Sequence, residues 1–283
     1  HFDLGKIDLK LDRWDAALMH FDAAHALQKE NRWYREYRAQ ALLKLERFDD
    51  ALEDLLWILD QRTGDFEWTI DWTLQLADAG GHVQAIVLCE AYEEAVPNDP
   101  DVLLQRLYLM ELGQDYLGIY RALETAVARY PDHLDFKMQW AQMLLATEQE
   151  EAALEILLQL ERAEPSNGLV QLELAEIYTG RDQIEAAQEA LSRAFDSEDV
   201  LVEEKHDILL QYLRIASVNP ALLTPLADLM DRAIDLHGDD GSIRMLAADL
   251  AQMLGQPGFA REHMQVAVQA MPHIPSAWSN LIA

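Results

Sequence analysis

The chain has 283 residues, half of them apolar, with only 12 glycines and 9 prolines: ample material for a core, and too few turn-formers for a disordered or all-β chain. Its 51 acidic against 22 basic residues give a net charge of −29, which disfavours nucleic acid and anionic membrane surfaces as partners. No run of about 18 apolar residues is present to insert into a membrane. The single cysteine, Cys89 in "AIVLCEAY", reads as a small buried hydrophobe.

From the first residue onward the chain reads as helix after helix, rich in Leu, Ala, Glu, Gln and Arg. An alanine recurs early in what should be each second helix of a pair: Ala17 in "RWDAALMHF", Ala51 in "RFDDALEDL" and Ala85 in "GHVQAIVLC", each 34 residues after the last. Ile119 fills the next slot, followed by Ala153 in "QEEAALEIL" and Ala187 in "QIEAAQEAL" at the same step. Prolines keep the same beat, with Pro97, Pro131 and Pro165 spaced by 34. Within 137–165, Trp140, Ala141 and Leu144 share one helix face, 147–149 makes a turn, and Ala153, Leu157 and Leu160 recur at i, i+4 and i+7. Small residues let paired helices approach closely, and Pro165 ends the unit because proline cannot continue a helix.

The beat then slips. Ala260, in "PGFAREHMQ", follows Ala187 by 73 residues, which is five more than two steps of 34. The surplus falls within 202–240. There we expect a longer first helix ending near Ser217, a turn at Asn219-Pro220, and a second helix with Thr224 as cap and Pro225 at its first position. The units fall at about 1–31, 32–65, 66–99, 100–133, 134–167, 168–201, 202–240 and 241–274, with a further helix starting in 275–283. Both ends lie inside helical pattern, as in a piece of a longer array.

The pattern resembles the tetratricopeptide repeat (TPR), a 34-residue unit with W-x2-L-G-x2-Y in its first helix, A-x3-F-x2-A in its second, and a closing proline. Leu4 and Gly5 match, although Asp8 stands where the family has Tyr; Leu174, Ala175 and Tyr178 match better. Ala17, Phe21 and Ala24 supply the second-helix signature, and Pro272 and Trp278 close one unit and open another. The resemblance implies an all-α, right-handed α-solenoid of stacked helix-turn-helix units over 1–283. The longer penultimate unit also loosely resembles the end of the TPR tract in bacterial multi-TPR envelope lipoprotein-like proteins. The composition fits either a very salty cytoplasm or an ordinary acidic bacterial protein, and the compartment, cytoplasmic or on the periplasmic side of an envelope, stays open.

Catalytic signatures are missing. The nine histidines form no HExxH, one cysteine cannot build a thiolate zinc site, and "HGDDGS" and "PNDPD" lack the alternating oxygen ligands of a calcium loop. No phosphate-binding glycine loop or GxSxG is present. We expect no enzyme, no cofactor and no metal.

In TPR arrays, positions 2, 5, 9 and 12 of each first helix face a concave groove. The resemblance places there Trp33, Glu36 and Gln40, then Ile70 and Leu74, Leu104 and Tyr108, Met138 and Gln142, and Leu172 and Glu176. The middle of this ladder is apolar, suiting either an exposed binding strip or packing between units. The expected function is a non-catalytic scaffold holding a protein or peptide with basic and apolar residues; a chaperone-tail clamp would need Lys and Asn pairs that the chain lacks. The alternatives are a structural or self-assembling module, with dimers forming through apolar solenoid ends, or a non-catalytic arm of a larger enzyme.

Overall fold

The computed structural model describes residues 1–62, 64–275 and 278. The further helix expected in 275–283 falls almost wholly outside the described residues. Among those described, Trp278 donates from its indole Nε1 to the Pro272 carbonyl at 3.0 Å.

Sixteen α-helices, arranged as antiparallel pairs, make up the described structure together with one 3-10 turn. The chain divides into two compact units, His1–Phe136 and Lys137–Ala283. The first holds α1 (Phe2–Lys10) with α2 (Trp14–Leu27), α3 (Arg32–Lys44) with α4 (Phe48–Gln61), α5 (Phe66–Asp78) with α6 (His82–Ala95), and α7 (Pro100–Leu112) with α8 (Tyr116–Arg129). The division falls inside α9 (Leu134–Ala146). The second unit continues with α10 (Glu150–Ala163), α11 (Gly168–Gly180) with α12 (Ile184–Asp196), α13 (Val202–Ala216) with α14 (Leu223–His237), and α15 (Gly241–Met253) with α16 (Pro257–Ala270).

The alanine slots are where the helices close on each other. Ala17, Ala51, Ala85 and Ala153 are wholly buried, and Ala187, Ala260 and Ile119 nearly so. Four residues on, Phe21, Leu55, Cys89, Leu123, Leu157, Leu191 and Met264 are buried in turn, so Cys89 fills the slot the repeat reserves for a large apolar side chain. Gly5 serves the same close approach from α1: a Cβ there would stand 2.5 Å from the Phe21 ring.

The turns within pairs repeat as closely as the core. Asp12, Glu46, Gln114, Glu148 and Asp182 all take the left-handed conformation, with φ between 56° and 60°, and Gly80 takes the equivalent place at φ 100°. After α9, the Gln149 amide donates to Leu144 O at 2.8 Å and the Glu148 amide to Leu145 O at 3.0 Å, the paired bonds that close a helix through a left-handed residue. Several first helices open on side-chain caps: Asn31 accepts from the Trp33 amide, Asp65 from Trp68, Asn167 from Val170, and Asp240 from both Ser242 and Ile243. Pro97, Pro131, Pro165 and Pro272 all lie in the turns between pairs.

The slipped region differs from expectation at one end. α13 does end beside Ser217, but Thr224 is not a cap: Asn219 caps a 3-10 turn, Pro220–Leu222, which runs directly into α14. Pro225 is therefore the third residue of α14, still within the first turn, where a missing N–H costs nothing.

Candidate functional site

Because each first helix buries one face on its own partner and neighbours, the opposite face is left to solvent or ligand. On α5, Trp68, Trp72 and Leu76 are buried, whereas Ile70 is half-buried and Leu74 is 36% exposed. On the adjacent α7, Val102, Leu107 and Leu109 are buried, whereas Leu104 is half-buried and Tyr108 is 48% exposed. On α3, Trp33 is exposed with the Arg32 guanidinium 4.6 Å above its ring. Glu36 is half-buried; its Oε1 accepts from the Trp68 indole at 3.0 Å while its Oε2 has no hydrogen-bond partner. Gln40 lines a cavity of about 420 Å³ together with Leu9, Leu43, Lys44, Gln75 and Asp78, so α1, α3 and α5 share one concavity.

In the second unit, Met138 and Leu172 are half-buried and Gln142 and Glu176 are exposed. Gln142 donates to Glu173 on α11 at 2.9 Å. All eleven positions thus retain some solvent exposure. The same offsets fall on Phe2 and Lys6 of α1, His206 and Leu210 of α13, and Met245 and Asp249 of α15. Subtracting 34 from Glu36 and Gln40 gives the first pair, and counting from the unit starts at 202 and 241 gives the others.

Two buried polar clusters, the first of them ionic, sit among the helices. Asp54 on α4 is wholly buried and accepts from Arg35 at 2.9 Å and from two nitrogens of Arg38, while Arg35 also lies 4.4 Å over the Trp57 ring. Burial, reinforced by Arg38 and Arg35, holds the His25 imidazole below its ordinary pKa. In the second unit Lys205 is wholly buried, its Nζ donating to Ser197 O at 2.7 Å and lying 3.2 Å from His237 Nε2. Burial pushes the Cys89 thiol up to about 12. Among the described residues, no group of three or more His, Cys, Asp or Glu side chains is placed to hold a metal ion. Nor is any helix among them long and apolar enough to cross a membrane.

No protein-family model and no curated protein matches the chain. Many solved structures do. Yeast Tom70 aligns with a TM-score of 0.51 at 14% identity, over 96% of this chain and 58% of its own. MamA from Desulfovibrio magneticus RS-1 aligns at 0.41 and 16% identity, over 75% of this chain and 99% of its own. A thermophilic TPR protein of Thermus thermophilus aligns at 0.36 and 18% identity, over 77% of this chain and 99% of its own. The weight rests on Tom70, which is built of the same repeats and spans nearly the whole chain. With paired helices that step by 34 residues except into α13 and α14, and small residues at most close approaches, this chain has the all-α fold of the tetratricopeptide-repeat proteins.

Proposed function

We propose that the chain is a non-catalytic protein-interaction scaffold whose first-helix face holds a peptide or protein segment carrying basic and apolar residues. The observation behind this reading is the pair Leu74 and Tyr108, exposed at the same offset on the adjacent helices α5 and α7 and flanked by half-buried Ile70 and Leu104. Apolar side chains that form a contiguous strip in water mark a site of contact. An extended peptide or an amphipathic helix is the ligand shape for such a strip, and a chain of net charge −29 attracts a basic one. Trp33, Glu36 and Gln40 extend the face on the first unit. Met138, Gln142, Leu172 and Glu176 form the corresponding face of the second.

The test is selection from a displayed random-peptide library on the wild type and on a Leu74→Glu/Tyr108→Glu variant shown by circular dichroism to be folded. Enrichment of basic-apolar peptides by the wild type and their loss on the variant supports the reading. Equal enrichment by both proteins removes the site from this face.

A second reading, self-assembly, draws on α1. Leu4, Ile7 and Leu11 are each more than half exposed, whereas Ala41, Leu109 and Ile177, whole repeats after Ile7, are buried. A mass that rises with concentration in sedimentation equilibrium, and a monomer after Ile7→Glu, would favour assembly through this helix.

A further inference from the structure

A pocket lies beside the second helices α12 and α14, where the chain carries extra residues before α14. Leu223 opens α14 39 residues after Ile184 opens α12, where earlier second helices step by 34. A pocket of about 520 Å³ lies between α12 and α14, with Tyr212 of α13 in its wall. Its floor is apolar: Leu191 and Leu229 are buried, and Pro225 and the Tyr212 ring are half-buried beside them. Glu185, Glu189 and Asp228 stand exposed at its rim, and no basic side chain is in the lining.

The charge around this rim is unbalanced. Arg193 is shared between Glu161 and Glu189, at 2.8 and 2.5 Å. Arg232 is shared between Asp196 and Asp228, at 2.5 and 3.0 Å. Glu185 has no cationic partner among the described residues. Of the three rim carboxylates, Glu189 and Asp228 thus share their guanidiniums with Glu161 and Asp196 outside the lining, and Glu185 is unmatched. These carboxylates do not converge as metal ligands do, so a compact inorganic cation finds no coordination shell here. An apolar floor, an aromatic wall and a diffuse negative rim instead match an organic cation on an apolar stem.

We propose that this pocket binds an arginine side chain presented by a protein partner. The methylene stem lies on Leu191 and Leu229, and the planar guanidinium stacks against Tyr212 and reaches Glu185. Lysine fits less well, because a compact, strongly hydrated ammonium neither stacks nor forks to carboxylates. The pocket acts independently of the first-helix face.

The experiment is a titration of the whole chain at low ionic strength, followed by NMR, with Nα-acetyl-arginine amide and with its neutral isostere Nα-acetyl-citrulline amide. The arginine derivative is expected to bind at least about fivefold more tightly, and Glu185→Gln and Tyr212→Leu each to weaken it by about threefold or more. Glu185 is exposed, so its substitution leaves the core intact should Tyr212→Leu unfold the unit. Tyr108→Glu, on the first-helix face, is expected to bind the arginine derivative as the wild type does. Equal binding of citrulline, no binding, wild-type binding by Glu185→Gln, or loss of binding in Tyr108→Glu would each overturn the assignment. Tighter binding of agmatine than of the arginine amide would overturn the protein partner and assign the pocket to a free organic cation.

Discussion

Arg38 closes on Asp54 with two nitrogens, Nε at 2.6 Å from one carboxylate oxygen and Nη2 at 2.6 Å from the other, and so ties α3 to α4 through a carboxylate that is wholly buried. Arg35 adds a third donor at 2.9 Å. Removing the negative charge strands two guanidiniums in a poorly hydrated site, and breaking one side of a buried ion cluster costs about 3–5 kcal/mol. Asp54→Asn should therefore lower the stability of the first unit by that amount in urea unfolding. A loss below about 1 kcal/mol would show that water replaces the carboxylate.

Ala153 and Leu157 are both wholly buried, one at the close approach of its helix and the other beside it. Leu157→Ala should cost about 2–5 kcal/mol through lost burial and a residual cavity. Ala153→Leu should cost about 1–3 kcal/mol through overpacking, although it adds apolar surface. Chemical denaturation of both variants checks the pair, and a stabilising Ala153→Leu would contradict the tight approach of this helix pair.

Glu148 holds φ at 60° in its turn, and Gly80 holds φ at 100° at the equivalent place. A left-handed residue with a Cβ is strained by about 1–2 kcal/mol, partly offset by the greater freedom glycine has when unfolded. Glu148→Gly should raise stability by about 0.5–1 kcal/mol, and Gly80→Ala should lower it by a similar or larger amount. Thermal melts of the two variants should move in opposite directions.

Burial, followed by the Lys205 cation, holds the His237 imidazole below its ordinary value; His263, beside Arg244, and His25, beside Arg38, are held down in the same way. Above about pH 7.5 these rings are neutral in both folded and unfolded chains and contribute nothing. As the pH falls, the unfolded chain takes up protons first, so stability is lost until the lower folded values are passed. Glu93, raised chiefly by burial, works in the opposite direction at lower pH. His237→Gln should accordingly lose less stability than the wild type between about pH 7.5 and 5.5, and an equal loss would mean that His237 takes no part.

Much of the fold can be read from the chain because close packing leaves a local mark. An alanine at most approaches and a proline after several pairs need no partner to be recognised, so Ala17, Ala51 and Ala153 declare their helices directly. The mark fails where another residue takes the slot. Leu226, 39 residues after Ala187, is wholly buried in that position, and the 3-10 turn before it has no counterpart elsewhere among the described residues. The exposure of Leu74 and Tyr108 follows from counting along a first helix. The grip of Arg38 on Asp54 does not, because it joins side chains 16 residues apart whose meeting depends on how α3 and α4 cross. The pocket beside Tyr212 was hidden for the same reason as the register of α14.

The division of the chain at Phe136 also sorts its chromophores. Trp14, Trp33, Trp57, Trp68 and Trp72 all belong to the first unit, with the last two deep in its core, whereas the second unit has Trp140 and Trp278. Indole emission during denaturation thus reports mainly on residues before Phe136, while the far-ultraviolet signal averages the helices of both units. Neighbouring segments of repeat arrays are held by interface energies of finite size, so they can melt separately. Any gap between the fluorescence and circular dichroism curves then shows that residues before Phe136 melt apart from the rest.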